Sequence, residues 1–250
     1  MLTEERHRII LDLLREKEAI KIQDIVDATN ASESTIRRDL TQLEDEKFLK
    51  RVHGGASRLQ GKLKELSVSE KSSRNFHEKQ VIGQYAASLV EEGDCIYLDA
   101  GTTTLSLIDH LPDSDIVVVT NGLTHGEALI QKGFKTYMIG GCIKPVTKAM
   151  VGSGAIESLR QYRFDKAFMG ANGVHEEYGF TTPDPEEAQV KRLAIELARE
   201  AMFLTDGTKF GEIAFSKIVD LDRAMIITNG MDDEHRTTMM KQTTIKVVTP

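Results

Sequence analysis

A chain of 250 residues, 40% apolar and carrying a net charge of -7, is long enough for a small domain beside a larger one with its own core. Its mean hydropathy of -0.29 is that of a water-soluble globular protein, and no apolar run approaches the roughly 18 residues that a helical membrane span needs. The N-terminus is charged and reads as a helix rather than a signal peptide. Cys95 and Cys142 read as free thiols in a reducing cytoplasm. The seven histidines show no metal-ligand spacing, and His110, His125 and His175 read as loop or surface positions. No metal and no cofactor is expected.

In chain order, Thr3 to Glu16 reads as a helix with Ile9, Ile10, Leu13 and Leu14 inward. Ile22 to Thr29 reads as a second, short helix with Ile25 and Val26 inward. Asn30-Ala31 is a tight turn, since Asn tolerates the left-handed conformation. Ser32 then stands where a helix N-cap belongs. Ile36, Leu40 and Leu43 form a buried stripe at helical spacing. A rotation of about 100° per residue puts Ser34, Arg37, Arg38 and Thr41 on the opposite arc. Short polar side chains and two guanidiniums are the groups that contact phosphates and read guanine. Two helices joined this closely, the second capped by Ser, make a helix-turn-helix. Ser32 and Thr35, at its N-terminal end, belong to the expected DNA-binding set. Residues 48–59 read as two short strands about Gly54-Gly55, a wing bearing Lys50, Arg51, His53 and Arg58. Residues 1–60 hold 11 Lys and Arg against 12 Asp and Glu, so placement carries the DNA argument: Glu44, Asp45 and Glu46 fall at the far end of the recognition helix.

The strings SESTIRRDL and LKRVHGGA resemble the DNA-binding domain of DeoR-family bacterial transcription regulators. Lys47 departs from the glycine that the family usually places before the first wing strand.

Residues 60–74 turn polar and lose period, which makes them a linker between a DNA-binding domain, 1–59, and a larger domain, 75–250. A helix follows from Asn75 to Glu91. Short apolar runs then alternate with helical ones, the signature of parallel strands with helical crossovers. The strands are Cys95–Leu98, Ile116–Val119, Thr136–Ile139, Lys166–Met169, Met202–Leu204, Ala224–Thr228 and Ile245–Val248. Several end in small, polar or glycine-rich turns, and open parallel sheets bind ligands beyond the carboxyl ends of their strands. Asp99-Ala100-Gly101-Thr102-Thr103-Thr104 is the strongest of these turns. Gly101 allows close approach, and Thr102, Thr103 and Thr104 open a helix, so backbone N–H groups and hydroxyls together cradle an anion. Thr120 and Asn121 add donors, with Gly140, Gly170 and Asn172 at neighbouring strand ends. Lys209 offers a cation. Asp99, Glu186 and Asp206 are acceptors suited to sugar hydroxyls. The expected polarity is phosphate towards the threonines and sugar towards the acids.

This region resembles the sensor domain of the same family, similar in fold to ribose-5-phosphate isomerases and glucosamine-6-phosphate deaminases. The resemblance implies an α/β protein: an N-terminal winged helix-turn-helix plus a C-terminal Rossmann-like domain similar to sugar-phosphate isomerases. The isomerases carry an Asp-Gly-Ala-Asp-Glu turn, and the matching stretch here is Met169-Gly170-Ala171-Asn172-Gly173. Met and Asn cannot transfer the proton that isomerisation moves. The expectation is therefore no catalytic residue. Within the family the chain looks most like fructose-operon repressors of Gram-positive bacteria. The partners so implied are operator DNA, a phosphorylated sugar (fructose 1-phosphate first) and further copies of the chain. The alternatives are an isomerase-like enzyme fused to a DNA-binding domain, and an activator with the same sensor.

Overall fold

The computed structural model describes residues 2–249 except 18, 47, 53, 59–64 and 232. The expectations for Lys47, His53, the Arg58 side chain and residues 60–64 of the linker lie outside what is described. The chain divides into two compact units, Met1–Gly61 and Lys62–Pro250. No helix among the described residues is long and apolar enough to cross a membrane.

The first unit runs α1 (Thr3–Glu16), β1 (Ala19–Lys21), α2 (Ile22–Thr29), α3 (Glu33–Asp45), β2 (Leu49–Val52) and β3 (Gly55–Arg58). Asn30 ends α2 in the left-handed conformation at φ 52°, and Ser32 caps α3 by accepting from the Thr35 N–H at 3.3 Å. Ile10, Leu14, Ile25, Ile36, Leu40 and Leu43 close one core. Strand β1 has no alternating pattern long enough to announce it. It exists because β3 pairs with it, giving the order β1-β3-β2 and burying Ile20. Both glycines of the wing turn have a reason: Gly54 sits at φ +81°, and a Cβ on Gly55 would collide with the Ile20 carbonyl. Asp39 also faces inward on α3. Its carboxylate takes a two-pronged bond from Arg6 of α1, at 2.7 and 2.9 Å, which ties the two helices together.

The second unit opens with α4 (Val68–Ser73), α5 (Phe76–Ala87), β4 (Cys95–Leu98), α6 (Thr102–Ile108), β5 (Val117–Thr120), α7 (Leu123–Gln131) and β6 (Lys135–Met138). There follow β7 (Cys142–Ile143), β8 (Met150–Val151), α8 (Ser153–Leu159), β9 (Phe164–Met169), β10 (Gly173–His175), β11 (Gly179–Thr182) and α9 (Pro185–Glu196). The last elements are β12 (Ala198–Leu204), β13 (Ser216–Val219), β14 (Met225–Thr228), α10 (Asp233–Met239) and β15 (Ile245–Val247).

Seven of these strands make one sheet in the order β15-β14-β12-β9-β4-β5-β6, with every neighbouring pair parallel. They are the seven runs expected from the sequence, with ends moved by a few residues. Both faces are covered. Ile96, Leu98, Phe168, Met202 and Leu204 face one core, while Tyr97, Ala167, Met169 and Phe203 face the other. Burial on both faces is why these strands read as continuous apolar runs rather than as alternation. The short antiparallel sheet β10-β11-β13 and the β7-β8 ribbon are additions that the sequence does not signal. From β4 the chain steps to β5 and β6 on one side, then returns to β9 on the other side of β4. The crevice between the carboxyl ends of β4 and β9 is thus the topological switch point, where open parallel sheets bind ligands.

Candidate functional site

In the first unit, Arg37, Arg38, Thr41, Gln42, Asp45 and Arg51 line an open cleft of about 400 Å³. Arg37 is exposed and paired with Glu33, one helical turn earlier, at 2.5 Å. Arg38 is exposed and has no ion pair among the described residues. The Thr41 hydroxyl donates to the Arg37 carbonyl at 2.9 Å and accepts from Arg51 Nη1 at 2.9 Å. The backbone N–H of Arg51 donates to Glu44 at 2.7 Å, so the wing strand β2 is fastened to the recognition helix. Ser32, Ser34 and Thr35 share hydroxyl contacts of 2.9 and 3.0 Å at the helix start. Lys50 lies half-buried on β2. Gln42 is the addition to the expected face, bonded to Glu46 at 2.9 Å; one turn beyond Arg38, it was within reach of the same helical-phase argument.

In the second unit the crevice is built around Asp99, 1% exposed, directly after β4. Its Oδ2 accepts from the Lys191 ammonium of α9 and from the Gly170 N–H after β9, the latter at 3.1 Å. Asp99 was expected to read sugar hydroxyls; here one of its oxygens is committed to a buried ion pair. Thr104 is fully buried and turned inward, donating to the Asp99 carbonyl at 2.5 Å and accepting from the Gly101 N–H at 3.1 Å. Thr120 and Asn121 brace the strand tips: Thr120 donates to the Leu98 carbonyl at 2.6 Å, and Asn121 Oδ1 accepts from the Ala100 N–H at 2.8 Å. Gly101 and Thr102 remain on the wall of a cavity of about 30 Å³, with Thr124, His125 and Thr147. Val68 and Lys71 of α4 close it. Thr103 lies buried behind them.

Helix phase separates two neighbouring acids. Asp184 caps α9, accepting from the N–H groups of Glu186 and Glu187 at 2.7 and 3.3 Å. The expected ligand, Glu186, points to solvent, and Glu187 is buried. Glu187 accepts from Lys144 and from the Thr147 hydroxyl, both at 2.8 Å. Burial would raise its pKa, but Lys191 and Lys144 outweigh it and hold the carboxyl below its ordinary range. Lys144 is shared by Asp184 at 2.7 Å, Glu187 at 2.8 Å and Glu65 at 3.0 Å. Against its burial, these acids raise its pKa and fix its charge.

Asp206 is buried and organises its own turn, accepting from the Thr208 N–H and from Asn75 Nδ2, each at 3.0 Å. Burial lowers the pKa of Lys209, opposed by Asp206 and reinforced by Lys71 and Arg74. Asn172 accepts from the Thr182 hydroxyl at 3.2 Å, and Gly140 lies beside Gly154 at the end of β6. Among the described residues, no three His, Cys, Asp or Glu side chains converge as a metal would require.

His125 corrects the reading of the histidines as loop or surface positions. It lies within α7, 2% exposed, with Nε2 3.1 Å from the Thr104 hydroxyl and Nδ1 unpartnered. Burial lowers its pKa to about 4, with Lys191 adding to the effect against hydrogen bonding to the Gly101 backbone carbonyl. His110 is exposed and His175 half-buried. Sequence reasoning also passed over Lys144, Thr147 and Glu65, because each is far in sequence from the groups it serves. A lysine and a threonine in one loop carry no periodic signal.

Residues 6–61 match the family model described as DeoR-like helix-turn-helix domain, and residues 74–233 match that described as DeoR C terminal sensor domain. The uncharacterized HTH-type transcriptional regulator FruR of Bacillus subtilis (strain 168) is 52% identical over 251 residues, covering 100% of both chains. The lactose phosphotransferase system repressor of Staphylococcus aureus (strain NCTC 8325 / PS 47) is 34% identical over 98% of each chain. Among solved structures, ribose 5-phosphate isomerase A from Methanocaldococcus jannaschii is 19% identical. It covers 54% of this chain and 55% of its own, at a TM-score of 0.42. So loose a likeness carries no argument about chemistry.

Two measurements check these geometries. In DNA-binding titrations, Arg38→Ala is expected to cost about 1–3 kcal/mol and to relax base preference at one position. Arg51→Ala should weaken all sequences alike and lower the salt slope by about one. Unchanged affinity in both Arg37→Ala and Arg38→Ala would remove this face from recognition. The second measurement is stability against pH. Unfolded His125 takes up a proton below its ordinary 6.5, and folded His125 does so only near 4. Stability should therefore fall as pH drops through that window, by roughly 3 kcal/mol. Urea denaturation of His125→Asn should show a shallower acid limb; an identical limb would place the titration elsewhere.

Proposed function

The chain belongs to the DeoR family of transcriptional regulators, and on that premise we propose that it represses a sugar-utilisation operon. It leaves its operator when a phosphorylated sugar binds the second unit, fructose 1-phosphate being the leading candidate. The observation that carries this reading is the crevice at the switch point. Thr102 offers a backbone and a hydroxyl donor beside Gly101, Lys71 stands on the facing wall, and Glu187 and Thr147 lie beyond them as partners for hydroxyls. A phosphate is favoured towards the threonines and Lys209 because Asp99, the nearest acid, is already neutralised by Lys191. A lactose phosphotransferase system repressor among the relatives supports a sugar that enters the cell as its phosphate. The protein works in the cytoplasm as a homo-oligomer on repeated half-sites, because a single recognition helix contacts too few base pairs for a unique operator.

An enzyme in the same fold is the second reading, and the chemistry of the site disfavours it. Glu187 is the buried acid best placed to move a proton, yet its lowered pKa makes it a weaker base than an ordinary carboxylate.

An effector acts only through its differential affinity for the DNA-bound and released states. Thr102→Val combined with Lys209→Ala should leave operator affinity intact and abolish release. The double variant should stay on DNA at a fructose 1-phosphate concentration that frees the parent, and fructose itself should free neither. Release of the double variant at the parental concentration would place the phosphate elsewhere. Purified protein is expected to show no aldose–ketose interconversion of sugar phosphates. Turnover in the parent that disappears in Glu187→Gln would establish the enzyme instead.

A further inference from the structure

Glu65 is the first described residue of the second unit, standing where the chain enters it. Its side chain is only 10% exposed, although nothing in its sequence context calls for a buried acid. Oε1 accepts from Lys71 at 3.1 Å and Oε2 from Lys144 at 3.0 Å, so one carboxylate bridges two ammonium groups. The two lysines differ in what else they hold. Lys144 keeps Asp184 and Glu187 if Glu65 departs. Lys71 is described with Glu65 as its ion-pair partner. It also stands on the wall of the switch-point cavity, opposite Gly101 and Thr102.

Three physical facts bear on that bridge. A cavity of about 30 Å³ holds a water or two, whereas small-molecule sites run to hundreds of cubic ångströms, so a sugar phosphate enters only if part of the wall yields. The wall that α4 supplies is tied to Lys144 through the bridge from Lys71 to Glu65. The neighbourhood of Lys71 is cationic: Lys79 and Lys209 both feel its charge, and Lys209 feels Arg74 as well. A phosphate carries more charge and more acceptor oxygens than a carboxylate, and lysine binds it as a point charge.

We propose that Glu65 is a built-in stand-in for the anionic group of the effector: Lys71 and Lys144 form an anion subsite that Glu65 occupies in the free chain, and an incoming phosphate takes Lys71 from it. Lys71 then becomes a direct phosphate ligand, and Glu65 an intramolecular competitor that lowers effector affinity. The inference rests on the reading that the second unit takes a phosphorylated sugar, and it specifies which residues meet the phosphate.

The sign of one substitution separates this from a merely structural bridge. A site blocked by its own side chain binds with an apparent affinity reduced by the unblocked fraction, so removing the blocker tightens binding. Calorimetric titration of the full-length protein with fructose 1-phosphate, and separately with inorganic phosphate, is the measurement. Glu65→Gln should tighten binding at least about fivefold, and Lys71→Met should weaken it at least about tenfold. In the Glu65→Gln, Lys71→Met double variant the gain should vanish, because the freed cation is gone. A Glu65→Gln protein that binds as the parent does, or more weakly, overturns the proposal. So does a Lys71→Met protein of parental affinity, a variant that keeps all three acids around Lys144 and therefore tests the idea should Glu65→Gln fold poorly. A parent that binds neither probe would instead sink the effector reading itself, and this inference with it.

Discussion

The second unit depends on a buried ion pair, Lys191 to Asp99, at the point where the strand order reverses. Both groups are almost wholly removed from water, 5% and 1% exposed. Each alone would bear a desolvation penalty of several kcal/mol, and removal of one partner from such a pair typically destabilises by about 3–5 kcal/mol. The pair therefore constrains three elements at once. Lys191 fixes the rotation of α9, Asp99 the turn after β4, and the Gly170 N–H the turn after β9. The rotation of α9 in turn decides that Glu187 faces inward and Glu186 outward. Near the opposite ends of the same strands, Lys166 of β9 and Asp94 before β4 make a second buried pair at 2.7 Å. Central strands are thus clamped by charge at both ends and by apolar packing between.

The same logic works at smaller scale in the first unit. Asp39 sits on the inward face of the recognition helix, where an isolated carboxylate would be costly, and Arg6 reaches it with two bonds. Position on the helix, and not overall charge, gives the outward arc its character. That reconciles a net charge of -7 with a helix-turn-helix domain: Asp39 is neutralised, Glu33 is paired with Arg37, and Glu44 fastens the wing. Phosphate contacts are local, so an acidic protein can carry a basic face.

At the switch point, the charges are almost all in pairs or shared clusters. A carboxylate held ionised by lysines, as Glu187 is by Lys191 and Lys144, has little tendency to take a proton. Polar groups fixed in this way suit discrimination between ligands, because a ligand lacking the matching group leaves buried partners unpaired. A sensor requires that discrimination and does not require turnover.

Local patterns were legible in the sequence to the extent that their causes are local. The recognition helix follows from Ser32 and the Ile36, Leu40, Leu43 stripe, the turn before it from Asn30, and the seven parallel strands from their apolar runs. The turns Asp99–Thr104 and Gly170–Gly173 also declared themselves, since glycine and threonine clusters mark strand ends. Strand β1 and the β7-β8 ribbon stayed invisible because two or three residues are too few to show a period. Buried His125 read as a surface residue because a lone histidine carries no sign of what will pack over it. The linkage of Lys191 to Asp99, and of Lys144 to Glu65, Asp184 and Glu187, spans between 40 and 92 positions of sequence. The sequence by itself determined the helix-turn-helix, the seven parallel strands in chain order and the residue types at their ends. Which charges meet was decided only by the tertiary structure, because an ammonium selects its carboxylate by a distance of about 3 Å in the folded chain, and chain separation encodes no such distance.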